Sequence, residues 1–309
     1  MNNFDLVIVG AGSAGCIVAN QIISNTNLRV LLIEAGPSDN SPVIKVPLGY
    51  GMTFYHKKMN WNFYSENQKN LNNRAIYYPR GKVIGGSGSI NAMIYARGLS
   101  SDFKNWHLSK DWSWENIKAT YDQIEFSIND KINILPSNKI PVNDVSKKHH
   151  PILRNFFEAS QDFNFTLNKQ LKSSLENQVG NYNVNIFDGF RTSSSTAFLK
   201  PIKTHPNLKI LTKTEVLKLE YENNKISSLK IKYQNKIIIV KPKIGTILST
   251  GAIMTPYLLL KSGIGSSEEL KDFNIPVNLH SPHIGKNLQD HLGLDYLYKT
   301  SMTTLNYDL

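Results

Sequence analysis

The stretch FDLVIVGAGSAGCIVANQIISNTNLRVLLIEAG, residues 4–36, decides the fold. It opens with a short apolar strand, Phe4 to Val9. A glycine turn follows, Gly10-Ala11-Gly12-Ser13-Ala14-Gly15, and an amphipathic helix runs on to about Ser24. A second apolar strand, Arg29 to Ile33, ends on Glu34. Strand, G-x-G-x-x-G and helix in this order make a dinucleotide fingerprint. Gly10 permits the tight turn, Gly12 lets the backbone approach a pyrophosphate, and Gly15 lets the helix pack closely. The start of the helix offers free N–H groups and the positive end of a dipole to phosphates. Glu34, about 20 residues after the turn, can accept hydrogen bonds from a ribose diol. The fingerprint alone does not separate FAD from NAD.

Composition narrows the class. The chain has 309 residues, 40% hydrophobic and 19% charged, which suits a globular protein of one large or two modest domains. The formal net charge is +11, but the lysines are scattered and form no basic block, so nucleic acid is not an expected partner. The single cysteine, Cys16, excludes a disulfide within the chain and reads as a small buried side chain. No apolar run approaches the 18 or so residues of a membrane span, and no signal-peptide layout opens the chain. The reading is a cytoplasmic protein, with peripheral association at the inner face of a membrane left open.

A second glycine run, YPRGKVIGGSGSINAMIYARG, covers residues 78–98. Gly81, Gly85, Gly86 and Gly88 let backbone pass close to a flat ligand, with Arg80 and Lys82 adding charge near a phosphate. Between the two runs, the segment Ala35 to Tyr78 is rich in Pro, Gly, Asn and aromatics and reads as an extended connection, of the kind that is functional or packs over a cofactor. Tyr50, Phe54, Tyr55, Trp61, Phe63 and Tyr64 are read there as anchors in preference to substrate contacts. Further along, a helix is expected to open at Ser113 and another to span Ile152 to Gln161. His149 and His150 have no acidic or cysteine neighbours spaced to make a metal site with them. Ser193 to Ser195 are helix-start residues, with no G-x-S-x-G elbow around them. Residues 208–249 read as a strand meander, with a turn at Asn223-Asn224 and a buried strand from Ile244 to Leu248. A strand–glycine–helix element follows, with Pro256 in the first turn of the helix and Gly263 at its end.

The residues 80–98 resemble the first signature of the glucose-methanol-choline family of FAD-dependent oxidoreductases. GAIMTPYLLLKSGIG, residues 251–265, resembles its second signature, and PHIGKNLQDHLG, residues 282–293, the run that follows it. The segments 112–125 and 191–210 continue the likeness, which covers nearly the whole chain. The resemblance is to choline-dehydrogenase-like and alkanol-dehydrogenase-like members. It implies an α/β fold: a Rossmann-like FAD-binding domain with a three-stranded β-meander, and the beginning of an α+β substrate domain. The expected partition is 1–138 with 190–290 for FAD, including covering loops at 37–110, and 139–189 with 291–309 for a partial substrate domain.

It further implies FAD held non-covalently. Some members attach the flavin through a histidine directly before the loop asparagine, a position held here by Ile90. The implied contacts are Gly10, Gly12, Ser13, Ala14 and Gly15 at the pyrophosphate, and Glu34 and Ala35 at ribose and adenine. Val216 offers backbone to the adenine, and Val83 with Asn91, Ala92, Met93 and Ile94 lies along the isoalloxazine. Gly88 stands where many members have serine. The implied reaction is oxidation of the CH–OH group of a primary alcohol, with hydride transfer to flavin and an electron acceptor as second partner. Family members take their base from a histidine motif near the C-terminus, which none of the eight histidines here matches. The chain therefore reads as an N-terminal portion, with no catalytic residue and no metal assigned and its activity alone in doubt. A non-catalytic flavin-binding remnant and a flavin-containing hydroxynitrile lyase stay open as alternatives.

Overall fold

The computed structural model describes residues 3–104, 106, 109–128, 134–168, 178–223, 225–291 and 293–303. Two compact units emerge, residues 1–92 with 189–289, and residues 93–188 with 290–309.

The first unit is built on a parallel sheet of four strands. β1 (Leu6–Val9) lies beside β2 (Val30–Ile33), joined by helix α1 (Ser13–Asn25). β5 (Leu208–Leu211) adds to the outer side of β2, and β9 (Gly245–Leu248) pairs with β1. The sheet order is therefore β5-β2-β1-β9. Successive residues of a strand point to opposite faces, and both faces are covered. Ile8, Val30 and Leu32 pack with Cys16, Ala19 and Ile23 of α1. Val7, Val9, Leu31 and Ile33 pack on the other side with Leu219, Leu229, Ile231 and Val240. This explains why β2 reads as an unbroken apolar run: parallel strands buried on both faces have no polar side to show.

The second layer is an antiparallel meander, β6 (Glu215–Glu222), β7 (Lys225–Tyr233) and β8 (Lys236–Val240). Leu219 sits opposite Leu229, and Leu229 opposite Val240, so one face is apolar and the lysines take the other. Asn223 turns with φ 49°, and Asn224 lies outside the described residues. The residues 208–211, read in sequence as part of the meander, belong instead to the parallel sheet. Their neighbour is β2, and Leu208 and Leu211 are buried one on each side of it.

Helix α2 (Gly251–Lys261) follows β9. Pro256 is in its interior, not in its first turn as expected, because the helix already begins at Gly251. A proline there cannot donate to the carbonyl four residues back, which leaves the Ala252 carbonyl without its helical partner. Ser262 pins α2 to the meander: its hydroxyl donates to the Leu258 carbonyl at 2.6 Å and accepts from the Leu219 N–H at 2.9 Å. Two short strands, β3 (Phe63–Tyr64) and β4 (Tyr77–Tyr78), pair antiparallel within the long connection after β2.

The second unit carries the helices Trp114–Ile124 and Ile152–Gln161, as expected, with Ser113 capping the first by accepting from the Asn116 N–H. Arg97 donates from Nε to Glu125 and from Nη2 to Asp122, each at 2.7 Å, while the Tyr95 hydroxyl donates to Glu125. The described residues between 93 and 138, a range expected with the cofactor-binding part, fall in this unit. Among the described residues no helix is long and apolar enough to cross a membrane.

Candidate functional site

A cleft of 520 Å³ opens in the first unit at the C-terminal ends of β1, β2 and β9, where ligands bind in open parallel sheets. Its floor is the glycine turn. Gly15 cannot be replaced there without moving backbone, since a Cβ would fall 1.9 Å from the Gly10 carbonyl oxygen. That contact draws α1 tightly onto the turn. Gly12 is the N-cap of α1 and contributes no side-chain cap. The first N–H groups of the helix are thus free of a capping side chain, and Gly12, Ser13 and Ala14 line the cleft.

Glu34 lies at the end of β2 with 6% of its surface exposed. One carboxylate oxygen accepts from the Ala11 N–H at 3.0 Å, and the other from the Gly36 N–H at 2.9 Å. Burial pushes its carboxyl up to about 7, and the N–H groups of Gly36 and Ala11 oppose the shift. A carboxylate has about four acceptor positions. Two are taken, and Glu34 lines the cleft, so it can accept further donors there.

The second glycine run meets the first. The Gly85 N–H donates to the Ala11 carbonyl at 2.7 Å. Gly86 has φ 56°, and a Cβ on it would sit 2.7 Å from the Gly12 Cα, so only glycine allows the two loops to touch. Gly81, Gly86 and Ser87 line the cleft, as do Arg80 and the stacked pair Trp61 and Phe63, whose ring centroids are 5.7 Å apart. Lys82 lies over the Trp61 ring at 4.2 Å. The far wall is Ser249 to Thr255 with Tyr257 and Leu258, and the remaining edge is Thr214, Glu215 and Val216. The donor set fits a dinucleotide: N–H groups for a pyrophosphate, a buried carboxylate for a diol, and an apolar wall for rings.

Of the expected contacts, Gly10, Gly12, Ser13, Ala14, Glu34, Ala35 and Val216 come together on this cleft. Gly15 and Val83 do not line it: Gly15 serves packing, and Val83 is fully buried with Ile44 and Ile90. Asn91 is held at its side-chain oxygen by Arg191, and Ala92 is exposed. Met93, buried with φ 61°, and Ile94, 54% exposed, belong to the second unit. Cys16 is buried and its thiol pushed up to about 12 by burial. His291 is an exposed loop residue, and His107 lies outside the described residues. Trp61 and Phe63, read as anchors, stand at the cleft instead. The wall from Ser249 to Leu258 was signalled by its strand–glycine–helix pattern, though no single residue in it stood out.

Comparison with known proteins agrees with this geometry. The family model described as GMC oxidoreductase matches residues 4–293. An alcohol dehydrogenase (acceptor) of Pseudomonas putida is 37% identical over 307 residues, covering 97% of this chain and 55% of that protein. The mitochondrial choline dehydrogenase of Mus musculus is 31% identical, covering 94% of this chain and 50% of that protein. Among solved structures, pyridoxine 4-oxidase from Mesorbium loti superposes with a TM-score of 0.86 at 32% identity, covering 94% of this chain and 57% of that one. The chain spans about half the length of the curated relatives it matches.

Proposed function

The chain belongs to the GMC oxidoreductase family, whose domain here is the FAD-binding one, and from that premise we propose that it supplies the cofactor-holding part of an enzyme oxidising a primary alcohol, choline-like or alkanol. The observation that carries this is the convergence of an uncapped helix start, a buried carboxylate and two interlocked glycine loops on one cleft.

The N–H groups at Ser13 and Ala14 hold the pyrophosphate, with Gly12 letting it approach. Glu34 accepts from the ribose diol, and Ala35 and Val216 border the adenine. The second glycine loop, from Gly85 to Asn91, borders the flavin ring. When bound, FAD accepts the hydride removed from the alcohol carbon. The chain's own residues bind and orient that group, and Trp61 and Phe63 keep water from one side of the cleft. Cofactor binding belongs to the first compact unit and the start of the substrate side to the second. No covalent link is expected, since Ile90 carries no nucleophilic atom and is buried. An electron acceptor completes the cycle.

The test is to denature the purified protein and examine the supernatant. Released flavin identified as FAD supports the reading. Protein that takes up NAD and never flavin, even on reconstitution, sinks it.

A further inference from the structure

Arg191 is 4% exposed. It donates from Nε to the Ile44 carbonyl at 2.9 Å, and from Nη1 to the Gly88 carbonyl at 3.2 Å and the Asn91 side-chain oxygen at 2.7 Å. Its Nη2 is enclosed and makes no hydrogen bond. No carboxylate faces it among the described residues, and burial alone pulls its acidity to about 10, so it stays charged at neutral pH.

As a device for stability this is a poor choice. A buried cation without a counter-ion, carrying an unused donor, is disfavoured against an apolar side chain of similar volume. What the guanidinium achieves is geometric. Its planar fork reaches two points of the second glycine loop, Gly88 and Asn91, and ties both to the Ile44 turn, a segment more than 40 residues earlier in the chain. Asn91 is thereby held in one orientation. Gly85, Ser89 and Ile90 have anchors of their own, the Ala11 carbonyl, the Ile84 carbonyl and the Ile44 side chain, and Arg191 adds the hold on Gly88 and Asn91.

We propose that Arg191 is a positioning residue for the cofactor, setting the shape of the 85–91 loop through Gly88 and Asn91 so that the loop is ready for the flavin ring. This rests on the FAD reading above.

The test is a double-mutant cycle on FAD affinity, read by flavin fluorescence, with R191K, N91A and the double variant. Lysine keeps the charge but cannot span three acceptors. N91A leaves the arginine in place and removes only its side-chain acceptor, so it decides the matter should R191K not fold. Each single change is expected to weaken FAD binding roughly tenfold or more, and to alter the visible absorption band of the bound flavin. The double variant is expected to be no weaker than the poorer single one, because the two residues act as a unit. Wild-type affinity in N91A, or losses that simply multiply in the double variant, would overturn the proposal. A merely structural arginine would lower the thermal midpoint and leave the affinity and the absorption band of whatever folds unchanged. Wild-type protein that binds no FAD would sink this inference together with the function it rests on, whereas wild-type binding with unaffected variants sinks this inference alone.

Discussion

Two glycine loops meet at the cleft, and one buried charge holds each. The first, Gly10 to Gly15, sits between a strand and a long helix and is held by Glu34, which accepts from the Ala11 N–H 23 residues before it. The second, Gly81 to Asn91, has no regular element longer than four residues and is held by Arg191, which reaches back 103 residues to Gly88. The anion faces the cleft and the cation lies behind its own loop. The difference separates two ways of making a cofactor cradle. One is fixed by the secondary structure on either side of it, the other by a long-range side-chain clamp.

The sharpest way to break the comparison is within the first loop. Gly15→Ala places a Cβ 1.9 Å from a backbone oxygen, and we expect a loss above about 4 kcal/mol of stability, read by urea denaturation. Gly12→Ala meets only ordinary contacts, at 3.8 and 3.9 Å. It should fold nearly as well as wild type and lose FAD affinity. Equal destabilisation by the two changes would erase the division between a packing glycine and a cofactor glycine.

Next comes the anionic clamp. Glu34→Ala should weaken FAD binding by about 1.5–3 kcal/mol, the scale of a hydrogen bond to a charged group. It should also lower stability by about 1–3 kcal/mol for each stranded N–H, at Ala11 and Gly36. An unchanged dissociation constant would remove Glu34 from the site while leaving its role in the turn.

A pH titration sharpens the same point with a smaller effect. The Glu34 carboxyl stands at about 7 in the folded chain against 4.5 ordinarily. Between these values the folded chain holds a proton that the unfolded chain has lost. This group's contribution to stability is therefore present below 4.5 and is lost as pH rises through 7. FAD affinity should run the other way. The diol donates to the ionised carboxylate, so binding weakens as pH falls below 7, by up to about tenfold per unit. Glu34→Gln should flatten this dependence.

How much of this was legible in sequence follows from the same contrast. Strand, turn, helix and acid lie within 33 residues and declare themselves through local periodicity and glycine spacing. Both glycine loops were visible for that reason. The Arg191 clamp was not, because its partners are remote in sequence and an isolated arginine before a run of serines carries no pattern. Trp61 and Phe63 were seen as aromatics in an irregular segment, and nothing local told which would face the cleft. Val83 was placed along the isoalloxazine by the family resemblance alone, and its side chain is buried with Ile44 and Ile90. The placing of residues 208–211 in the parallel sheet depended on a partner strand some 180 residues away.

The smallest expected effect concerns attachment. Acid precipitation should leave the flavin in solution, since Ile90 offers no atom to bond it. Colour retained in the pellet would mean that the second loop, or another residue, carries a covalent link.

One titration decides the dinucleotide assignment most directly. FAD fluorescence is followed as wild-type protein is added, then repeated with Glu34→Gln and with excess NAD present. Tight quenching by wild type, weaker quenching by the variant and no displacement by NAD is the predicted result. Displacement of FAD by NAD, or no quenching of FAD by wild type, would contradict it, while identical FAD binding by wild type and Glu34→Gln would remove Glu34 from the site.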